Sequence, residues 1–161
     1  MGTILVVEDY DDVRRMLKIL LESEKFRVLE AATGSEALDV IKDQRPDAIL
    51  MDLALPGIDG LETIRRIRAI DGFQNTPIVV LSAYIGVSTY EPALRAGSNY
   101  FMAKPIDFDD LAALLKEILS GRNSRSSRYT RAPIRRSVLS AAFGTKPTMA
   151  PRRSPELRSS V

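Results

Sequence analysis

Five short apolar runs alternate with five amphipathic segments, and that order predicts an α/β protein. Its core would be one sheet of parallel strands, joined by right-handed crossovers with helices on both faces. Two further observations support this class. The run Ala48-Ile49-Leu50-Met51 is apolar without a break between Pro46 and a Pro/Gly cluster, as expected of a strand buried on both faces. The apolar runs also end in polar residues (Glu8, Asp52, Ser82 and Lys104), and the carboxyl edge of such a sheet is where ligands bind.

Taken in order, Thr3-Ile4-Leu5-Val6-Val7 is a β-branched, buried strand that stops at Glu8-Asp9. From Asp11, apolar residues recur at Val13, Met16, Leu17, Leu20 and Leu21, the helical period. Phe26 to Leu29 forms a second short strand. Thr33-Gly34-Ser35-Glu36 has capping-box spacing and opens a helix through Ala37, Leu38 and Ile41. The third strand, from Asp47, closes on Asp52. A helix starting near Gly60 carries Leu61, Ile64, Ile67 and Ile70 on one face. Pro77 to Ser82 is the fourth strand, followed by a less regular helix from Ser88 to Ala96 that stops at Gly97. Tyr100 to Ala103 is the fifth strand, ending at Lys104-Pro105. Asp107 caps a last helix with Leu111, Leu114, Leu115, Ile118 and Leu119.

The composition narrows the chemistry. The 161 residues include no cysteine and no histidine, which excludes disulfides, thiolate or imidazole metal sites, and the common hydrolase triads. A hard, oxygen-ligand site remains open. No leader and no apolar span of membrane length is visible, so a soluble, cytoplasmic protein is expected. Charge is split along the chain. Residues 1–121 carry 13 Lys/Arg against 20 Asp/Glu, a net −7, while residues 122–161 carry 10 against one, a net +9. An acidic domain over 1–121 followed by a basic tail over 122–161 is the expected organisation.

Two strand orders suit such a sheet, the flavodoxin-like and the Rossmann-like. In the flavodoxin-like order 2-1-3-4-5, the crevice opens between the first and third strands and brings Glu8-Asp9 beside Asp52. Taken singly, each polar residue has an ordinary reading: Glu8-Asp9 as a helix cap, Ser82 as the start of a turn, Lys104 as a solvated lysine. Their joint placement on one edge points instead to a site. Three carboxylates in one crevice raise one another's cost of ionising, which a proton or a divalent cation must relieve. With no nitrogen or sulfur ligand available, magnesium is the expected ion.

Over residues 3–119 the sequence resembles the receiver domain of two-component response regulators. The resemblance is carried by Ile4-Leu5-Val6-Val7-Glu8-Asp9, by Met51-Asp52-Leu53-Ala54-Leu55-Pro56-Gly57-Ile58-Asp59-Gly60, by Leu81-Ser82-Ala83, by Ala96-Gly97 and by Lys104-Pro105. It implies the order 2-1-3-4-5 and a phosphoacceptor role for Asp52, which attacks a partner's phosphohistidine. Glu8 and Asp9 are implied as the magnesium-holding pair, joined by Asp52 and the backbone carbonyl of Ala54. Lys104 is implied as the partner of a phosphoryl oxygen. Ser82 and Phe101 are implied as a switch pair acting on a face made by the fourth helix, fifth strand and fifth helix. Core packing is the equally weighted alternative for Phe101. A sensor histidine kinase or histidine phosphotransfer protein, a downstream protein target and a homodimer through the face around Phe101 are the implied partners. A cis Lys104–Pro105 bond and slow self-hydrolysis, without enzymatic turnover, are implied too. Departures are small: Glu8 where Asp also occurs, Leu55 where Met is frequent, and Phe101 where Tyr is frequent.

The tail begins with a Ser/Arg linker and carries prolines at 133, 147, 151 and 155, so disorder is expected. Pro133 could open a short helix bearing Ile134, Val138 and Ala142. No output domain is recognisable, and the tail's charge suggests weak contact with nucleic acid or another acidic surface. Two other classes compete. An aspartyl phosphatase would want a second acid two residues after Asp52, where Ala54 stands. A flavin or nucleotide module would want a Gly-rich turn after the first strand, where Glu8-Asp9 stands.

Overall fold

The computed structural model describes residues 2–83, 86–121 and 130–131. Five strands, β1 (Thr3–Val7), β2 (Arg27–Ala31), β3 (Ala48–Asp52), β4 (Ile78–Ser82) and β5 (Tyr100–Ala103), pair in parallel in the order β2-β1-β3-β4-β5. This is the flavodoxin-like order. A two-residue strand, β6 (Thr130–Arg131), pairs antiparallel with β5. The remainder of the 122–161 tail, including the segment opened by Pro133, lies outside the described residues, as does Tyr84.

Strand alternation sorts the core into two layers. Leu5, Val7, Ile49, Met51, Ile78, Val80 and Phe101 face helices α2 (Gly34–Asp43), α3 (Gly60–Arg68) and α4 (Val87–Ala96), meeting Ala37, Ile41, Ile64, Ile67, Ala93 and Ala96. Ile4, Val6, Ala48, Leu50, Val79, Leu81 and Met102 face helices α1 (Asp11–Ser23) and α5 (Phe108–Leu119), meeting Leu17, Leu21, Leu111, Leu114 and Leu115. Central strands β3 and β4 are buried along their whole length, which is why they read as unbroken apolar runs.

Most element ends follow from local chemistry. Thr33 Oγ1 accepts from the Glu36 N–H at 3.1 Å, and Glu36 Oε2 accepts from the Ala32 N–H at 2.7 Å, one residue before the usual capping-box partner. Asp59 and Asp107 cap α3 and α5 through the N–H groups of Glu62 and Asp110. Helix α4 closes on Gly97, whose φ of 110° is left-handed, with Ser98 N–H donating to Ala93 O and Gly97 N–H to Leu94 O. That is the Schellman arrangement, and it needs glycine. Strand β2 differs from expectation: it begins at Arg27 and runs to Ala31. Lys25, at φ 68°, turns the chain first, and Arg27 then enters register with Thr3. Pairing with β1 extends this edge strand through Glu30, a residue whose polarity hid the end of the strand in sequence.

Gly60 places α3 against the end of β3. A Cβ there would lie 2.2 Å from Asp52 O and 2.7 Å from Leu53 Cα, both backbone atoms. Gly60→Ala is therefore expected to lower stability by about 1–3 kcal/mol, the usual range for an overpacked core. A denaturant midpoint equal to the wild type's would show that α3 can move away freely.

Candidate functional site

The carboxyl edge gathers Glu8 and Asp9 just after β1, Asp52 ending β3, Ser82 ending β4 and Lys104 just after β5. These five, with Tyr10, Leu53, Ala54 and Ala83, line a cleft of about 290 Å³. Carboxylate oxygens of Glu8, Asp9 and Asp52 lie within 4.8 Å of one another. Lys104 Nζ reaches between two of them, 2.6 Å from Asp52 Oδ2 and 2.8 Å from Glu8 Oε2. The other Asp52 oxygen accepts from the Ala54 N–H at 3.0 Å.

The ordinary readings of the acids and of Lys104 fail on this geometry. Helix α1 is capped by Tyr10 without a side-chain bond, so Glu8 and Asp9 do not serve it as caps. Glu8 is only 1% exposed, far from a solvated position. Ser82 is buried, and Lys104 is held by two carboxylates. The Lys104–Pro105 bond is cis.

Electrostatics follow from this crowding. Burial pushes the Glu8 carboxyl above the ordinary carboxylate range; the Lys104 hydrogen bond opposes that shift, and the neighbouring Asp52 charge adds to it. For Lys104, burial alone would lower the amine, but hydrogen bonds to Asp52 and Glu8 outweigh it and the net shift is upward. Lys104 is thus the internal counterion of the acid cluster.

Phe101 does not enter the cleft. It is buried on the α4 side of the sheet, edge-on to Tyr90 with ring centroids 5.6 Å apart. The Tyr90 hydroxyl is buried without a hydrogen-bond partner. Core packing of Phe101 is what this arrangement displays directly. Tyr10 and Leu53 also line the cleft; neither carries a charge, so neither stood out in the sequence as a site residue. Among the described residues no helix is long and apolar enough to cross a membrane.

A family model described as the response regulator receiver domain matches residues 4–116. Sporulation initiation phosphotransferase F of Bacillus subtilis is 32% identical over 116 residues, which cover 72% of this chain and 92% of that protein. The transcriptional regulatory protein AfsQ1 of Streptomyces coelicolor is 36% identical over 127 residues, covering 79% of this chain. The match spans 55% of AfsQ1 and 25% of the regulatory protein AtoC of Escherichia coli, so these relatives are much longer than the shared region. Among solved structures, the receiver domain of sensor histidine kinase PA1611 from Pseudomonas aeruginosa has a TM-score of 0.70 at 35% identity, covering 74% of this chain and 98% of that one. That crystal structure has a magnesium ion coordinated in its active site cleft. Chemotaxis protein CheY4 of Vibrio cholerae has a TM-score of 0.71 at 26% identity, covering 73% of this chain and 98% of its own.

Proposed function

This chain belongs to the response regulator receiver domain family of two-component signal transduction, and on that premise we propose that Asp52 is its phosphoacceptor. The observation that carries this reading is Lys104 clamped between Asp52 and Glu8 in an acid-lined cleft. A carboxylate oxygen of Asp52 attacks the phosphorus of a donor phosphohistidine. The O–P bond forms as the N–P bond breaks, and the imidazole leaves with the electron pair and takes up a proton. In this reading Lys104 passes its hydrogen bond from the carboxylate to a phosphoryl oxygen, and Ser82 donates to another.

The donor set also fits a hard cation: three carboxylates converge, with no nitrogen or sulfur ligand among them. Glu8, Asp9, Asp52 and the backbone carbonyl of Ala54 are the residues that would hold Mg²⁺. An ion held there would supply positive charge to offset that of the phosphoryl oxygens. The donor is a sensor histidine kinase or a histidine phosphotransfer protein, and the readout is contact with a downstream protein. Ser82 and Phe101 are the proposed switch pair, acting on the face of α4, β5 and α5, where a homodimer would form. Loss of the phosphoryl group is slow self-hydrolysis rather than turnover, since Ala54 stands where a phosphatase would carry its second acid.

The direct test incubates the wild-type protein with Mg²⁺ and a small phosphodonor. An acid-stable, base-labile acyl phosphate on the peptide containing Asp52 is expected. Label on another residue, or none, refutes the assignment.

Glu8 adds a pH dependence. Its folded-state pKa lies above its unfolded value, so between the two only the folded protein holds the proton, and its contribution to metal-free stability falls as pH rises. The same proton competes with a cation. Magnesium affinity is therefore expected to weaken as pH falls, beginning above the ~4.3 of a solvated glutamate. Glu8→Gln should flatten that profile in calorimetric titration. An unchanged profile in the variant removes Glu8 from the role.

A further inference from the structure

We infer that Arg14, one turn into α1, is a positioning residue for the phosphoacceptor site: its guanidinium fixes the peptide group that joins Glu8 to Asp9. This inference rests on the reading of the acid cluster given above.

Arg14 Nη1 donates to Glu8 O at 2.8 Å. That carbonyl belongs to the peptide linking two of the three clustered acids, so the bond sets the plane from which both side chains depart. The N–H on the other side of Glu8 donates to Ala31 O, at the end of β2, at 3.1 Å. Glu8 is thus held on both sides of its Cα, by a neighbouring strand and by a charged side chain. The turn that follows has no side-chain cap of its own, since Tyr10 at the N-cap makes none.

Arg14 is itself well anchored. Its side chain is 16% exposed, its second terminal nitrogen bonds Asp11, and its Nε lies 3.8 Å from Glu30, which also pairs with Lys18. Arg15, the next residue, is exposed and among the described residues makes no ion pair or hydrogen bond to the site. The pair supplies an internal control, because both carry the same charge on the same helix turn and only Arg14 touches the backbone of the cluster.

The two roles open to Arg14 differ in sign. If its charge were what mattered, removing it would leave the cleft more negative and tighten cation binding. If it positions the acids, removing it loosens their geometry and weakens binding. Loss of a group that orients metal ligands typically costs about 10–100-fold in affinity.

The experiment titrates MgCl₂ alone into the unphosphorylated full chain by calorimetry. Arg14→Ala, and Arg14→Met, which keeps the aliphatic stem and its packing, are expected to bind magnesium about tenfold more weakly. Arg14→Lys, retaining one donor, should recover to within about threefold of wild type. Arg15→Ala should bind as tightly as wild type or slightly tighter. Without any metal, amide exchange at Glu8 and Asp9 should quicken in Arg14→Met while β1 is unchanged. Arg14→Met binding as tightly as wild type, or Arg15→Ala weakening binding equally, overturns the inference. A wild-type protein that binds no magnesium would instead unseat the reading of the cluster as a metal site.

Discussion

Asp52→Asn is expected to abolish the base-labile acyl phosphate while leaving the protein folded. Asparagine keeps the shape of the side chain and an oxygen for the Ala54 N–H, which Asp52 Oδ1 now accepts at 3.0 Å. It lacks the carboxylate oxygen that must form the new bond, and an amide is a poor nucleophile toward phosphorus. The substitution also removes one of three acids that converge within 4.8 Å. Metal-free stability should therefore hold, although Lys104 loses one of its two carboxylate partners. Radiolabel from a phosphodonor, quantified after acid and after base, measures the effect. Persistent base-labile label on the variant would assign the chemistry to another residue.

Lys104→Ala ranks second in expected size. Among the described residues its amine is the one positive group bonded to both Glu8 and Asp52, at 2.8 Å and 2.6 Å, with its side chain 24% exposed. A fixed cation aimed at developing phosphoryl charge acts in a partly dry cleft, and losing such a donor typically costs about 10²–10³-fold in rate. The label should still form, slowly. Without metal, the variant leaves two buried acids facing each other with no counterion. Stability should fall by about 1–3 kcal/mol, part of the loss being avoided by proton uptake. Magnesium should restore more stability to the variant than to wild type, because the ion supplies the missing charge. Phosphorylation at the wild-type rate, or a variant more stable than wild type without metal, would exclude Lys104 from both roles.

Much of the site was legible before any fold was known. Glu8, Asp9, Asp52, Ser82 and Lys104 each follow an apolar run, and in a parallel sheet every such run delivers its carboxyl end to the same edge. Arg14 was not legible, because a charged residue on an amphipathic helix reads as solvent-facing until the backbone beneath it is known. Phe101 was legible only as two alternatives. Packing beside Tyr90 on the α4 layer shows where it rests, a matter of sheet face and helix placement. The extent of β2 was hidden for a related reason: an edge strand with Arg27 and Glu30 carries no apolar alternation, and only pairing with β1 defines it.

The sequence by itself determined the alternation of strands and helices, the caps at Thr33 and Asp107, and the chemistry available at the sheet edge. Those depend on residues near one another in the chain, through hydrogen bonds, periodicity and the properties of each side chain. Tertiary structure decided the counterion geometry, with Lys104 meeting Glu8 across 96 residues of chain, and the anchoring of the Glu8–Asp9 peptide by Arg14. Such contacts are set by strand order, register and packing. Distances of a few ångströms between remote residues are a property of the assembled sheet, and no local pattern encodes them.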